Sequence, residues 1–270
     1  MTKIFGVLAH PVDHSLSPVF QNAAFTATNF PGKFLKFDVL PENLERFLKK
    51  VRQEKISGLA VSLPHKSEII KFLDQISLRA KKIGAVNTVF WEKEKLCGDN
   101  TDADGFFDAI SKNIFPQKKA AVFGAGGAAR AIIFILRKNN FEVFIFNRTP
   151  QKAEKLANEF GVHLGEISKF LAKDFDLVVN STSVGLRENV SPTQKSNWRE
   201  FSGIAFDAVF DPLETKFLQD AKAAGGKIIT GEKMLLFQGF RQFEIWTKLK
   251  APKKIMRQSL QKNSETKFEK

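Results

Sequence analysis

The sequence of 270 residues predicts an α/β protein with two domains. Short apolar runs alternate with segments of helical periodicity along most of the chain, an order typical of parallel sheets covered by helices. Hydrophobic residues make up 43% of the chain, which is enough for a buried core and excludes wholesale disorder. The apolar stretch KKAAVF begins a second unit, so we place a domain boundary near residue 101.

The strands are predicted from short runs rich in Val, Ile, Leu and Phe. They are Ile4–Leu8, Phe34–Val39, Gly58–Leu63, Ala85–Trp91, Ala120–Phe123, Glu142–Phe146, Leu177–Asn180, Ile204–Asp207 and Lys227–Thr230. Helical spacing of apolar residues predicts helices between most of them. These helices lie at about 18–28, 41–54, 65–73, 102–113, 127–138, 151–160, 214–223 and 233–248.

Cysteine and apolar content indicate the compartment. Cys97 is the only cysteine, so the chain has no internal disulfide, as is typical of a reducing compartment. The apolar run Ile4–Ala9 is too short for a signal peptide, and no run approaches a membrane span. We therefore expect a cytoplasmic protein without a membrane partner. Four histidines and one cysteine show no metal-ligand spacing, so we expect no metal.

Part of the net charge of +13 lies near the end of the chain, and the rest is spread along it. From Lys248 onward there are eight basic and two acidic residues, and we expect residues 251–270 to form a disordered basic tail. The charge leaves weak nonspecific nucleic-acid contact as one alternative, but no nucleic-acid recognition motif is present. The chain has 28 phenylalanines and no tyrosine, so a site that would use a phenol has lost it.

A glycine-rich turn follows the predicted strand Ala120–Phe123 and precedes a helix. Gly124, Gly126 and Ala129 form the pattern G-x-G-x-x-A, which in this context predicts a dinucleotide site. Gly124 permits the tight turn, and Gly126 lets the backbone approach a pyrophosphate at the helix N-terminus. The alternative is a packing turn with no ligand.

The next strand ends in Asn147, Arg148 and Thr149, with Lys152 close behind. NAD-binding units usually carry an acidic residue here, whereas an arginine can bind a 2′-phosphate through charge-assisted hydrogen bonds. The sequence therefore predicts NADP as the cofactor, with an exposed turn arginine as the alternative. The loop NSTSVG, which contains Thr182, is a second candidate cofactor contact or an ordinary Ser/Thr turn.

Polar residues in the first half form a second candidate site. Ser17 precedes Pro18 and is predicted to cap a helix, which leaves Ser15 as a candidate anion ligand. Lys66 falls in the first turn of a predicted helix, where a cation is disfavoured. A nearby carboxylate such as Asp102 would orient a proton-transferring lysine there. A solvated lysine and a simple helix cap are the alternatives.

The chain resembles the shikimate dehydrogenases over about residues 4–248. The order and spacing of several motifs carry this resemblance together. They are HSLSP (14–18), VSLPHK (61–66), GAVNT (84–88), GDNTDADG (98–105), GAGGAARA (124–131), NRTPQK (147–152), NSTSVG (180–185), DPLETKFL (211–218) and GEKMLLFQG (231–239).

The resemblance implies an enzyme that interconverts shikimate and 3-dehydroshikimate with NADP(H), in aromatic amino-acid biosynthesis. It implies a substrate domain of residues 1–101 with 233–250, a Rossmann-like NADP domain of residues 102–232, and a cleft between them. Lys66 matches the acid/base and Asp102 its partner. The implied substrate residues are Ser15, Ser17, Ser62, Asn87, Phe210 and Gln238. The implied cofactor residues are Gly124, Gly126, Gly127, Ala128, Ala129, Arg130, Asn147, Arg148, Thr149, Lys152, Thr182 and Gly231.

Four positions depart from the family pattern, and one of them is His10, which replaces a frequent Asn. Ala60 stands where Asn or Ser is usual, Ser62 replaces Thr, and Phe210 replaces a substrate-contacting Tyr. The lost phenol costs about 0.5–1.5 kcal/mol of hydrogen bonding. A broader quinate/shikimate dehydrogenase and a catalytically weakened NADP-binding relative therefore remain as alternatives. We expect a monomer or a homodimer.

Overall fold

The computed structural model describes residues 2–268, with side chains up to residue 262. The strands are β1 Lys3–Ala9, β2 Gly32–Asp38, β3 Gly58–Val61, β4 Gln75–Ile76, β5 Thr88–Glu92, β6 Lys95–Asp99, β7 Lys119–Phe123, β8 Glu142–Phe146, β9 His163–Leu164, β10 Leu177–Asn180, β11 Ile204–Asp207 and β12 Lys227–Ile229. The helices are α1 Ser17–Ala27, α2 Leu44–Gln53, α3 Leu78–Ile83, α4 Asp102–Ile110, α5 Gly127–Lys138, α6 Pro150–Phe160, α7 Lys216–Ala223, α8 Gly231–Thr247 and α9 Lys253–Phe268.

The chain forms two compact units. The first contains residues 1–101 and 238–270, and the second contains residues 102–237. Among the described residues, each unit is built around one six-stranded sheet. The α/β prediction is confirmed. Within the described residues, no helix is long and apolar enough to cross a membrane.

The sheet of the first unit is mixed, in the order β2-β1-β3-β5-β6-β4. β1 pairs in parallel with β2 and β3, whereas β5 is antiparallel to both β3 and β6. The parallel pairing typical of an α/β protein is therefore found at β1, β2 and β3, while both pairings of β5 are antiparallel. Glu92 pairs with Lys95 across a two-residue turn in which Lys93 has a φ of 56°, and this turn reverses the chain directly into β6.

The predicted helix over residues 65–73 is wrong. Only a 3₁₀-helix, Glu68–Phe72, forms in this region. The buried His65 side chain is hydrogen-bonded to the Val39 carbonyl at 2.8 Å, and the Lys66 carbonyl accepts from the Val86 N–H at 2.7 Å. Long-range partners therefore hold this backbone in a turn. Since Lys66 is not in the first turn of an α-helix, the helix-dipole argument does not apply to it.

The second unit has a fully parallel sheet in the order β12-β11-β10-β7-β8-β9. The chain runs outward from β7 in one direction through β8 and in the other through β10, so the switch point lies between β7 and β10. Phenylalanines fill much of the core beside this sheet, including the mutually packed rings of Phe123, Phe146 and Phe170. Ligands of such sheets bind at the carboxyl ends of the strands beside the switch point.

The end of the chain is folded, so the prediction of a disordered tail is wrong for its described part. α9 packs against α1, and it buries Met256 and Leu260, one helical turn apart. The cationic groups of Lys253 and Arg257 lie 5.7 and 5.9 Å from the ring centre of Phe240. Burial of this apolar pair and the cation–π contacts stabilise α9 despite the repulsion among its many positive charges.

Candidate active-site residues in the two units

The sheet topology of the first unit gathers its predicted polar residues at one edge. The carboxyl ends of β1, β3 and β6 meet there, and the antiparallel β5 brings its amino end to the same edge. Thr88 pairs with Ala60 on one side and with Asp99 on the other. The loops that carry Ser15, Ser62 and Asn87 therefore begin or end at this edge of the sheet.

Asn87 is the centre of a buried hydrogen-bond network at this edge. Its Oδ1 accepts from the Thr101 N–H at 2.7 Å and from the Thr88 hydroxyl at 2.8 Å. Its Nδ2 donates to the Thr101 hydroxyl at 3.0 Å and to Gln238 Oε1 at 3.3 Å. The amide orientation of Asn87 is thus fixed from several sides. Asn87 therefore holds the amide of Gln238 in place.

α8 contributes a second amide that the sequence did not point to. Gln242 Nε2 donates to the Asn87 carbonyl at 3.0 Å and to the Thr88 hydroxyl at 3.2 Å. Gln238 and Gln242 are one helical turn apart, so they share a face of α8. That spacing is a signal in the sequence, but only the structure gives the face a partner. Gln242 is therefore part of the framework that supports Asn87.

The loop of Lys66 is fixed by backbone hydrogen bonds to its neighbours. The Ser62 N–H donates to the Leu8 carbonyl at 2.8 Å, and the Val86 N–H donates to the Lys66 carbonyl at 2.7 Å. These bonds place the Lys66 backbone beside the segment that leads into Asn87. Lys66 is half-buried. The burial of His65 lowers the pKa of that imidazole, so it is neutral near pH 7.

The expectation that Ser17 caps α1 is wrong. α1 begins at Ser17, its N-cap position is Leu16, and no side-chain hydrogen bond caps it. The Ser15 hydroxyl accepts only a long, 3.4 Å hydrogen bond from the Ser17 N–H. Capping therefore does not account for either hydroxyl. Both serines lie at the start of a helix, where backbone N–H groups favour an anion.

In the second unit, the glycine-rich turn lies at the switch point. Gly124 has a φ of 114°, a backbone conformation that favours glycine. A Cβ on it would lie 2.6 Å from the Ser181 hydroxyl, so there is also no room for a side chain. A Cβ on Gly126 would meet no protein atom within 4 Å. Packing within the protein therefore does not explain Gly126, and the open space before α5 fits a pyrophosphate.

The end of β8 offers a cationic surface. Arg148, Thr149 and Lys152 are exposed, and neither cation forms an ion pair within the part of the chain that the structure describes. Asn147 Nδ2 donates to the Thr149 carbonyl at 2.8 Å and shapes the turn into α6. Two cations beside a helix start fit a 2′-phosphate, so the residues present suit NADP better than NAD.

Three predicted cofactor residues already have structural contacts within the protein. The Arg130 guanidinium forms an ion pair with Glu159 and lies 5.4 Å from the ring centre of Phe160. A Cβ on Gly231 would lie 2.6–2.7 Å from three backbone carbonyl oxygens. The Thr182 hydroxyl donates to Asn180 Oδ1 at 2.6 Å and accepts from the Val184 N–H at 3.1 Å. Their cofactor roles stay predictions.

The remaining predicted residues of the second unit are Asp102, Phe210, Gly127, Ala128 and Ala129. Asp102 is the first residue of α4 and is buried. Phe210 is half-buried and follows β11. Gly127, Ala128 and Ala129 form the first turn of α5, and Ala129 is fully buried, as close packing of this helix on its sheet requires.

The sequence did not point to the buried carboxylate of Asp207. Asp207 ends β11 and accepts hydrogen bonds from Asn180, Val209 and Thr215. Burial raises the pKa of Asp207 to about 6, although these three hydrogen bonds oppose the rise. Within the described residues, no group of three or more His, Cys, Asp or Glu is arranged to hold a metal ion.

An open parallel sheet with a glycine-rich turn at its switch point is typical of dinucleotide-binding proteins. The chain belongs to the shikimate dehydrogenase family. It matches the models described as the shikimate dehydrogenase substrate binding domain over residues 7–89, shikimate / quinate 5-dehydrogenase over residues 109–191, and the shikimate 5′-dehydrogenase C-terminal domain over residues 231–261.

Individual relatives agree with this assignment. The chain is 43% identical to the shikimate dehydrogenase (NADP(+)) of Thermus thermophilus over 91% of this chain and 92% of that protein. It is 40% identical to the protein of that name from Methanocaldococcus jannaschii over 96% of both chains. A crystal structure of the Thermus thermophilus enzyme with NADP(H) and shikimate superposes with a TM-score of 0.88 at 41% identity, covering 97% of this chain and 99% of that chain.

The raised pKa of Asp207 predicts a pH-dependent difference between the wild-type protein and Asp207→Asn. Between about pH 4 and 6 the folded state binds a proton at Asp207 that the unfolded state has released, so this carboxyl lowers stability as the pH rises. The free energy of unfolding of Asp207→Asn minus that of wild type should therefore increase by about 1–1.5 kcal/mol between pH 5 and pH 8. Urea unfolding at each pH measures it, and a difference that is constant with pH would contradict the assignment.

Proposed function

We propose that this protein is an NADP-dependent shikimate dehydrogenase, which interconverts shikimate and 3-dehydroshikimate in aromatic amino-acid biosynthesis. The observation that carries the proposal is the polar edge of the first sheet, where the Asn87 network lies beside the Lys66 loop. Family membership supports the same reaction.

We assign substrate binding to the residues at this edge. Ser15 and Ser17 bind the carboxylate, since their hydroxyls are not used in capping and lie at a helix start. Gln238, whose Oε1 accepts from Asn87 Nδ2, is assigned to a ring hydroxyl of the substrate. Ser62 supplies a further hydroxyl. Phe210, which stands where the family usually has a phenol, is assigned to the substrate from the resemblance alone.

We assign NADP to the second unit, where it supplies or accepts a hydride when bound. The turn at Gly124–Gly126 and the first N–H groups of α5 bind the pyrophosphate. Arg148 and Lys152 bind the 2′-phosphate, and Asn147 and Thr149 shape that turn. These assignments use only donors and space that the second unit itself provides.

We assign the proton transfer to Lys66, with Asp102 as the carboxylate that orients it. As a hydride leaves the carbinol carbon of shikimate, the hydroxyl proton passes to Lys66 Nζ, and the C–O bond becomes a carbonyl. In the reverse direction, Nζ returns the proton to the oxygen. The reaction so written needs no metal ion.

Two alternatives remain within this framework. One matched family description includes quinate, which carries an extra hydroxyl on the carboxylate-bearing carbon. A weakened NADP-binding relative would be consistent with Ala60 and Phe210, which lack the polar groups usual in the family. Rates with both acids and binding of NADP separate these possibilities.

The proposed function is tested by initial rates of NADPH formation at 340 nm with purified protein. We expect turnover with shikimate and NADP, and a kcat/KM at least about tenfold lower with NAD, because the exposed cations favour the 2′-phosphate. Parallel assays with quinate give the substrate range. Tight NADP binding with no turnover of either acid would contradict the proposal and favour the weakened relative.

Lys66→Ala should lower kcat by about 10²–10⁴-fold, because it removes the proton-transfer group. The affinity for NADP should stay within about twofold of wild type, since Lys66 lies in the first unit. Lys71→Ala is the matched control, because Lys71 is an exposed lysine paired with Glu68 in the following 3₁₀-helix. A Lys66→Ala variant with a near-normal kcat would show that another group moves the proton.

A further inference from the structure

Asp207 is a buried carboxylate whose described hydrogen-bond partners carry no charge. Its Oδ1 accepts from Asn180 Nδ2 at 3.0 Å and from the Val209 N–H at 2.9 Å, and its Oδ2 accepts from the Thr215 hydroxyl at 2.6 Å. All three are neutral donors, and burial is the largest influence on its titration. A buried carboxylate held by neutral donors is costly, and Asp207 uses these hydrogen bonds to organise two loop segments.

The first segment that Asp207 organises follows β10 and contains residues 181–184, which we name the β10 loop. Asn180 pairs with Asp207 in the register of the sheet. Its Nδ2 donates to Asp207 and to the Val184 carbonyl at 3.1 Å, while its Oδ1 accepts from the Thr182 N–H at 3.0 Å and hydroxyl at 2.6 Å. Asp207, the Val184 carbonyl and the Thr182 N–H together fix which end of the Asn180 amide faces Thr182.

The β10 loop lies directly against the glycine-rich turn. The Ser181 N–H and hydroxyl both donate to the Phe123 carbonyl, at 2.9 and 2.6 Å, immediately before Gly124. A Cβ on Gly124 would lie 2.6 Å from the Ser181 hydroxyl and 3.1 Å from the Thr182 methyl carbon. A shift of the β10 loop would therefore alter the turn that is assigned to the pyrophosphate.

The second segment that Asp207 organises is residues 208–215, between β11 and α7. Asp207 accepts from its first part at Val209 and from its last residue, Thr215, which is also the N-cap of α7. Phe210 lies between these two contacts. One carboxylate thus connects both segments, which follow the neighbouring strands β10 and β11.

We propose that Asp207 is a positioning residue of the cofactor site, which fixes the β10 loop against the glycine-rich turn through the Asn180 amide. The proposal rests on the proposed function, since it concerns NADP binding by the same site. Asp207→Asn is nearly isosteric but places an amide where the carboxylate accepts three donors. Because the Val209 N–H can only donate, the amide keeps its oxygen toward Val209 and Asn180, and the Thr215 hydroxyl must accept instead. The neutral amide oxygen left for Asn180 is a weaker acceptor than the carboxylate, which loosens the β10 loop.

The test combines NADP⁺ binding with hydrogen exchange of the free protein. By calorimetry, Asp207→Asn should bind NADP⁺ about tenfold more weakly than wild type. The KM for NADP⁺ should rise equally, with kcat at saturation within about twofold. Without any ligand, the Thr182 and Val184 amides should exchange about tenfold faster, while amides of β7 and β8 keep their wild-type rates.

Asp220→Asn is the matched control, because Asp220 is another buried carboxylate of this unit, ion-paired with Lys216 on α7. It should leave NADP⁺ affinity and exchange of the β10 loop unchanged. Asn180→Ala combined with Asp207→Asn should be no worse than Asn180→Ala alone, if Asp207 acts through Asn180.

Each other outcome overturns the proposal. Wild-type affinity in Asp207→Asn shows that the carboxylate does not position the cofactor site. Weaker binding with unchanged exchange of the β10 loop, or additive effects with Asn180→Ala, shows that it does not act by this route. Failure of the wild-type protein to bind NADP⁺ contradicts the proposed function itself, and this proposal falls with it.

Discussion

The first unit depends on the hydrogen bonds of one buried amide. Asn87 connects β5, the end of β6 and α8, and its backbone carbonyl accepts from the Val61 N–H at 2.8 Å. Buried polar groups that lose a partner cost about 1–3 kcal/mol each, so the partners of Asn87 are constrained together. The same bonds that stabilise this unit therefore fix the position of Gln238 and support the loop of Lys66.

The second unit positions its candidate functional residues in a different way. Its parallel sheet brings the ends of β7, β10 and β11 together, and small or polar residues there leave room for a ligand. Gly124 accepts the close approach of Ser181, and Asp207 accepts hydrogen bonds from the two segments beside it. Both units thus place their candidate functional residues on loops that a rigid sheet edge positions.

Strong local patterns made the second sheet predictable. Glu142–Phe146, Leu177–Asn180 and Ile204–Asp207 are strands with the predicted bounds, because buried parallel strands are continuous apolar runs. β6 was missed since Lys95–Asp99 is partly polar, and it is stabilised by pairing with β5. α9 was missed because Met256 and Leu260 are sparse among charged residues, and only the surface of α1 makes their burial favourable.

The residues of the candidate site also fall into two groups. Some belong to local sequence motifs, and others have roles that depend on contacts distant in sequence. Lys66, Asn87 and Arg148 belong to contiguous motifs, so the resemblance could point to them. Sequence spacing does not give Gln242 and Asp207 their roles, because these roles come from partners distant in sequence, such as Asn87 and Asn180. The capping assigned to Ser17 failed because helix starts depend on backbone angles that composition does not determine.

Amide hydrogen exchange with and without saturating shikimate tests most directly whether the polar edge of the first sheet is the substrate site. The account predicts that shikimate slows exchange in the segments around Ser15, Ser62–Lys66 and Asn87, with little change along α9. No protection at these segments would contradict it. So would protection confined to the 390 Å³ cleft of this unit whose charged lining residues are Arg79, Asp99, Arg241, Glu244 and Lys248.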